Sequence, residues 1–151
     1  MSRRVQDPAS ELEAVHAAIP HRAPFLFVDR IVERGEARIV TEWRVAEDAP
    51  FLRGHYPGAP VVPGVLLCES AIQTGAILCG SEGAPPGTVP VLTKIGDARF
   101  KRMVRPGELV RNEVTLEERV GAARYLTARI TCDGQSVARI EFVVTFAAGA
   151  S

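Results

Sequence analysis

The sequence predicts an α+β fold in which a strongly curved antiparallel sheet wraps one long central helix. Three observations carry this. Residues 65–79, VLLCESAIQTGAILC, contain no proline and are apolar almost all the way round. They are long enough for about four helical turns, and a helix without a polar face is normally enclosed by its own domain. Five or six runs of strand character surround it, most following one another directly, which favours antiparallel pairing. Asp133-Gly134 separates two of those runs, and Asp-Gly between strands is a strong hairpin signal.

In chain order, residues 1–8 read as a loose tail and 11–20, ELEAVHAAIP, as a short helix closed by Pro20. Strands follow over 25–33 and 36–45, with a turn at Arg34-Gly35. Residues 46–64 form a loop in which Pro57, Pro60 and Pro63 recur at every third position among Gly54, Gly58 and Gly64. Such a stretch is neither helix nor central strand; it is stiff and shaped. After the helix and the loop SEGAPPGT, strands are expected over 89–104, 109–120, 123–133 and 136–147. The domain reading is a tail with a short helix over 1–18 and one domain over 19–148. A sheet wrapping a single helix leaves an edge to cover, and dimerisation is a natural way to cover it.

Composition narrows the function. The 151 residues are 46% hydrophobic and 24% charged, with a formal net charge of zero. A general nucleic-acid or membrane-surface role draws no support from that balance. No apolar run reaches the roughly 18 residues of a membrane span, and the N-terminus lacks the apolar core of a signal peptide, so a cytoplasmic location is expected. Cys68, Cys79 and Cys132 are odd in number and form no CxxC. They read as small buried hydrophobes rather than as a disulfide framework or a metal site.

Chemistry concentrates in GHYPGAPVVPGVLLCES, residues 54–70. His55 sits in the locked loop, and imidazole exchanges a proton near neutral pH. Gly64 opens the helix, where unpaired N–H groups and a partial positive charge meet an approaching oxygen; Val65 follows it. Glu69 lies early in the apolar helix, where burial disfavours its charged form and would let it donate a proton. Gln73, one turn on, would orient it. Singly these signals are weak: a loop histidine is commonly structural, a lone helix glutamate commonly reaches a surface, and Pro-Gly commonly starts a helix. Together they supply a base, an acid and an oxyanion donor, the set needed for proton abstraction next to a carbonyl. Downstream, RFKRMVR (99–105) places four cations in seven residues. That run is either the solvated face of a strand or a dock for an acidic partner.

The segment GHYPGAPVVPGVLLCESAIQTGAIL resembles the active-site segment of the β-hydroxyacyl-acyl-carrier-protein dehydratases of dissociated fatty-acid synthesis. IPHRAPFLFVDRIVE, ARFKRMVRPGELV and GQSVARIEFVVTFA extend the resemblance over roughly residues 19–147. It implies a hotdog fold, His55 and Glu69 as catalytic residues meeting across a dimer interface, and the Gly64 N–H as the group that polarises the thioester carbonyl. Val65 and Gln73 fall with Gly64 in the substrate-binding segment. It also implies an acyl carrier protein as partner, docked on Arg99, Lys101, Arg102 and Arg105, and a homodimer, with a trimer of dimers open as a larger assembly. No metal or organic cofactor is implied, the substrate being carried on the carrier's phosphopantetheine arm. The bifunctional dehydratase/isomerase branch carries aspartate where Glu69 stands, so the plain dehydratase is favoured. Tyr56, Val62 and Ile72 replace the usual phenylalanine, methionine and alanine, and a bulkier Ile72 would narrow the acyl tunnel. His21 in the PHRAPF motif is read as structural and His16 as solvated. Two rivals remain. A hotdog acyl thioesterase needs no histidine in the loop, and a non-catalytic subunit of a heterodimeric dehydratase would not keep both His55 and Glu69.

Overall fold

The structure, a computed structural model, describes residues 7–81 and 83–149. Its elements are helix α1 (Pro8–Ala18), strands β1 (Arg30–Arg34) and β2 (Arg38–Arg44), a 3-10 turn (Pro50–Gly54), helix α2 (Gly64–Gly80), and strands β3 (Thr88–Phe100), β4 (Leu109–Val120), β5 (Ala123–Cys132) and β6 (Gln135–Ala148). All six strands form one antiparallel sheet in the order β1-β2-β4-β5-β6-β3. The sheet curls around α2, giving the α+β hotdog arrangement expected from the sequence.

Enclosure of α2 is nearly complete. Between Leu67 and Cys79 every residue except Glu69 is buried. The opposing layer is the inward face of β4, β5 and β6, where Val110, Val114, Leu126, Ile130, Ile140 and Phe142 alternate with outward polar positions. Gly75 allows closest approach: a Cβ there would stand 2.8 Å from Phe142 Cζ. The polar residues of the helix are satisfied inside. Ser70 donates to the Phe27 carbonyl (2.7 Å), Asn112 donates to Ser70 Oγ (2.8 Å), and the Thr41 and Thr74 hydroxyls pair at 2.7 Å. Such pairing makes burial of these groups tolerable. All three cysteines are buried; burial pushes the Cys68 thiol up and the Cys132 thiol to about 11.

The Asp133-Gly134 hairpin forms as expected, with both residues at positive φ (50° and 73°), the geometry of a two-residue turn between twisted strands. Other boundaries move for identifiable reasons. Helix α1 starts at Pro8, where the Asp7 side chain caps the Ala9 N–H; the rest of the expected tail, residues 1–6, lies outside the described residues. The expected strand over 25–33 shrinks to Arg30–Arg34. Around Phe27 the chain hydrogen-bonds to α2 side chains: Phe27 N–H donates to Gln73 Oε1 (2.9 Å) and its carbonyl accepts from Ser70, while backbone bonding to β2 begins at Asp29, whose N–H donates to the Glu42 carbonyl (2.8 Å). Strand β3 stops at Phe100 instead of 104, so Lys101–Arg105 lie beyond it.

Strand β3 is an edge strand, which is why Pro90 is tolerated within it. It carries register shifts between Leu92 and Lys94 and between Ile95 and Asp97, and Val89, Val91, Leu92, Ile95 and Phe100 are exposed along it.

Candidate active site

The Pro/Gly loop delivers His55 at the end of the 3-10 turn, half-buried. Its Nδ1 lies 2.8 Å from the Val61 carbonyl oxygen. A carbonyl only accepts, so the neutral imidazole carries its proton on Nδ1 and keeps a lone pair on Nε2. Tyr56 packs edge-on against the imidazole, ring centroids 4.7 Å apart. It does so at φ 55°, a left-handed conformation uncommon for a residue with a Cβ. Val62 N–H donates to the Val104 carbonyl and pins the loop to the segment after β3.

His55, Tyr56, Gly64, Phe100, Lys101 and Arg102 share the walls of a cleft of about 560 Å³. Gly64 is the first residue of α2, so its N–H belongs to the first turn, which has no intrahelical acceptors. A Cβ on Gly64 would come within 3.1 Å of the Phe100 ring, so the missing side chain keeps this wall open to the ring. Val65 is 75% exposed beside it.

Glu69 does not line this cleft. It is five positions on from Gly64, and at about 100° per residue the two point roughly 140° apart around α2. Its side chain, 22% exposed, faces the PHRAPF segment. Gln73 donates through Nε2 to Glu69 Oε1 (3.1 Å) and to the Phe25 carbonyl (3.1 Å), and accepts through Oε1 from Phe27 N–H. Gln73 is 1% exposed, and this geometry makes it an orienting group. His21 Nε2 stands 3.9 Å from the same carboxylate oxygen. The chain thus brings His55 together with Gly64, and Glu69 together with Gln73 and His21, on two sides of one helix end.

The basic run divides. Arg99 is exposed and pairs with Asp97 (3.1 Å). Arg102 is bound to Glu108 and holds that carboxyl below its ordinary value. Lys101 lines the His55 cleft, while Arg105 is exposed on the adjoining surface. Sequence reasoning missed the place of His21 and the Ser70–Asn112 pairing. Both depend on which segments the fold lays across α2, and no spacing rule encodes that.

A hotdog scaffold with a histidine in the loop before the central helix and a carboxylate early in it fits the acyl-thioester class that the sequence resemblance implies. The particular family follows from comparison with known proteins. The FabA-like domain matches residues 19–141. The chain is 42% identical to the 3-hydroxyacyl-[acyl-carrier-protein] dehydratase FabZ of Chloroflexus aggregans, over 89% of this chain and 95% of that protein. It is 35% identical to the FabZ of an Anaeromyxobacter species, over 97% and 96%. The chain therefore belongs to the FabA-like family of 3-hydroxyacyl-[acyl-carrier-protein] dehydratases. Among solved structures, the dehydratase heterocomplex ApeI:P from Xenorhabdus doucetiae superposes with a TM-score of 0.75 at 16% identity, covering 87% of this chain and 89% of that one. The smu.793 protein of Streptococcus mutans, bound to acetyl CoA, superposes at 0.65 with 14% identity, covering 87% and 96%. At such identities the likeness is one of fold.

Proposed function

We infer that the chain dehydrates 3-hydroxyacyl thioesters carried on acyl carrier protein to trans-2-enoyl thioesters in fatty-acid synthesis, with His55 as base and Glu69 as acid. The observation that carries the residue assignment is the His55–Val61 hydrogen bond. In the neutral ring that bond places the lone pair on Nε2, and His55 lines the cleft at the mouth of α2.

In this reading the thioester carbonyl lies at the N-terminus of α2. The Gly64 N–H and the helix dipole draw charge onto its oxygen and acidify C2. His55 Nε2 takes the C2 proton. The C3–O bond breaks, its electron pair leaving with the oxygen, while Glu69 supplies the proton that completes the departing water. One proton is gained by His55 and one lost by Glu69, so the pair is restored by transfer between them or through solvent. No metal or organic cofactor is assigned a part.

Two features support a homodimer with composite sites. Within one chain Glu69 points away from the cleft that holds His55. The long β3 edge leaves its ladder unpaired and its apolar side chains exposed, with Tyr56, Val65 and Met103 exposed as well. A second copy pairing along that edge would cover this surface and bring the partner's carboxylate to the histidine. Among the described residues, no helix is long and apolar enough to cross a membrane.

The test is direct: incubate the purified protein with 3-hydroxyacyl carrier-protein thioesters of several chain lengths and follow enoyl formation. Release of free acid and carrier instead of enoyl product would favour the thioesterase rival. Absence of product with every length would overturn the assignment.

A further inference from the structure

His21 lies outside the cleft that holds His55. Its imidazole Nδ1 is buried and has no hydrogen-bond partner, while Nε2 faces Glu69 Oε1 at 3.9 Å. A histidine kept for structure normally has its buried nitrogen satisfied. The carboxylate of Glu69 is the charged group that this ring faces.

The segment that presents His21 is fixed. Arg22 folds back to donate to the carbonyls of His16, Ile19 and His21 (3.1, 2.9 and 2.7 Å), tying the turn to the end of α1. On the other side, the Phe25 carbonyl and Phe27 N–H are both held by Gln73. His21 is therefore anchored on both flanks, and the amide that anchors one flank also holds Glu69.

We propose that His21 is a positioning residue for Glu69, presenting Nε2–H to Oε1 so that Oε2 is the oxygen turned to the substrate hydroxyl. Oε1 then faces two donors, the Gln73 amide and the imidazole, and a carboxyl oxygen has two lone pairs to receive them. A proton held by the carboxyl is thereby confined to Oε2, the oxygen that must deliver it. The 3.9 Å separation is about 1 Å longer than a hydrogen bond. Hydrogen bonds of catalytic groups commonly tighten only when substrate is present. The inference rests on Glu69 acting as the acid.

The test compares wild type with His21→Ala, His21→Gln and His21→Asn, using one 3-hydroxyacyl carrier-protein thioester and the thermal midpoint of each protein. A glutamine amide nitrogen reaches the place of imidazole Nε2; an asparagine nitrogen reaches only that of Nδ1. The expected result is a kcat for His21→Ala lowered by ~10–100-fold, the range of a misdirected acid–base group, with KM within about two-fold. His21→Gln should recover most of the loss and His21→Asn little. Wild-type kcat in His21→Ala overturns the proposal, as does equal behaviour of the glutamine and asparagine variants. If His21→Ala does not fold, the glutamine–asparagine comparison decides alone. A wild-type protein that dehydrates nothing would overturn the dehydratase reading itself, and the proposal with it; an active wild type with an indifferent His21 overturns only the proposal.

Discussion

The side-chain amide of Gln73 lies 3.1 Å from Oε1 of Glu69, one helical turn away, and the same amide group bonds the backbone of Phe25 and Phe27. One side chain thus holds a proposed catalytic carboxyl and staples the segment before β1 to the central helix. Gln73→Leu keeps the volume and removes all three bonds. It leaves the buried Phe27 N–H without its partner, at about 1–3 kcal/mol. A lower thermal midpoint and a lower kcat are expected together. A variant with an unchanged midpoint would show that water replaces the amide at no cost.

His55→Ala should abolish dehydration and leave folding intact. The side chain is half-buried in a loop and hydrogen-bonds to the Val61 carbonyl, so little of the core depends on it. Matching thermal midpoints with loss of nearly all turnover is the expected pair of readings. Turnover near that of wild type would mean that another group takes the C2 proton.

Much of this fold was legible in the sequence because its strongest signals are local. The apolar run at 65–79 can be satisfied only by enclosure, and α2 occupies Gly64–Gly80. Asp133-Gly134 admits the positive φ values that its turn requires. What local signals missed is where side chains replace backbone partners. Residues 25–29 have strand composition, yet Ser70 and Gln73 take the hydrogen bonds of Phe27. His55, Gly64 and Glu69 were singled out by residue type. That Glu69 turns from the cleft toward His21 depends on how α2 is rolled within the sheet, which the spacing alone does not fix.

Gly75→Ala tests the closest approach in the core. Alanine is favoured over glycine in a helix by about 1 kcal/mol. The added Cβ, however, would stand 2.8 Å from Phe142 Cζ and 2.9 Å from Cε2, and overpacking of this kind costs about 1–3 kcal/mol. With Phe142 buried on β6, the clash outweighs the propensity, and a lower thermal midpoint is expected. In a Phe142→Leu background the same substitution should be neutral or stabilising. Equal destabilisation in both backgrounds would place the strain elsewhere.

If each site is shared between two chains, mixing two inactive variants restores one complete site. His55→Ala and Glu69→Gln homodimers should each be nearly inactive. After subunit exchange, a mixed dimer regains one site with both wild-type residues, and activity per mixed dimer should approach half of wild type. Exchange is confirmed first by native mass spectrometry on differently tagged subunits. No recovery in exchanged samples would mean that His55 and Glu69 serve the same site from one chain.

The four cations of the 99–105 run should behave differently from one another. Arg102 is committed to Glu108, whose carboxyl also accepts from Arg105 N–H at 2.7 Å. This bonding holds the Glu108 carboxyl below its ordinary 4.5, the Arg102 bond being the largest cause. A carboxyl lowered on folding adds stability that is fully present above its unfolded value and is lost as pH falls through its folded one. Arg102→Glu should therefore lower the thermal midpoint at pH 7 and leave a smaller difference from wild type in acid below that range. Lys101 and Arg105 are exposed, and Arg99 pairs with Asp97 at an exposed position. Reversing Lys101 or Arg105 should leave the midpoint unchanged and raise KM for carrier-bound substrate. Turnover of a short soluble thioester mimic should hold, since uniform binding lost at a distance appears in KM. Salt should mimic the reversal, because exposed charges more than about 10 Å apart are largely screened at 0.1 M. Lys101 borders the cleft itself, so its reversal should have the larger effect. Equal loss with carrier substrate and mimic would assign these residues to the cleft wall and end the docking reading.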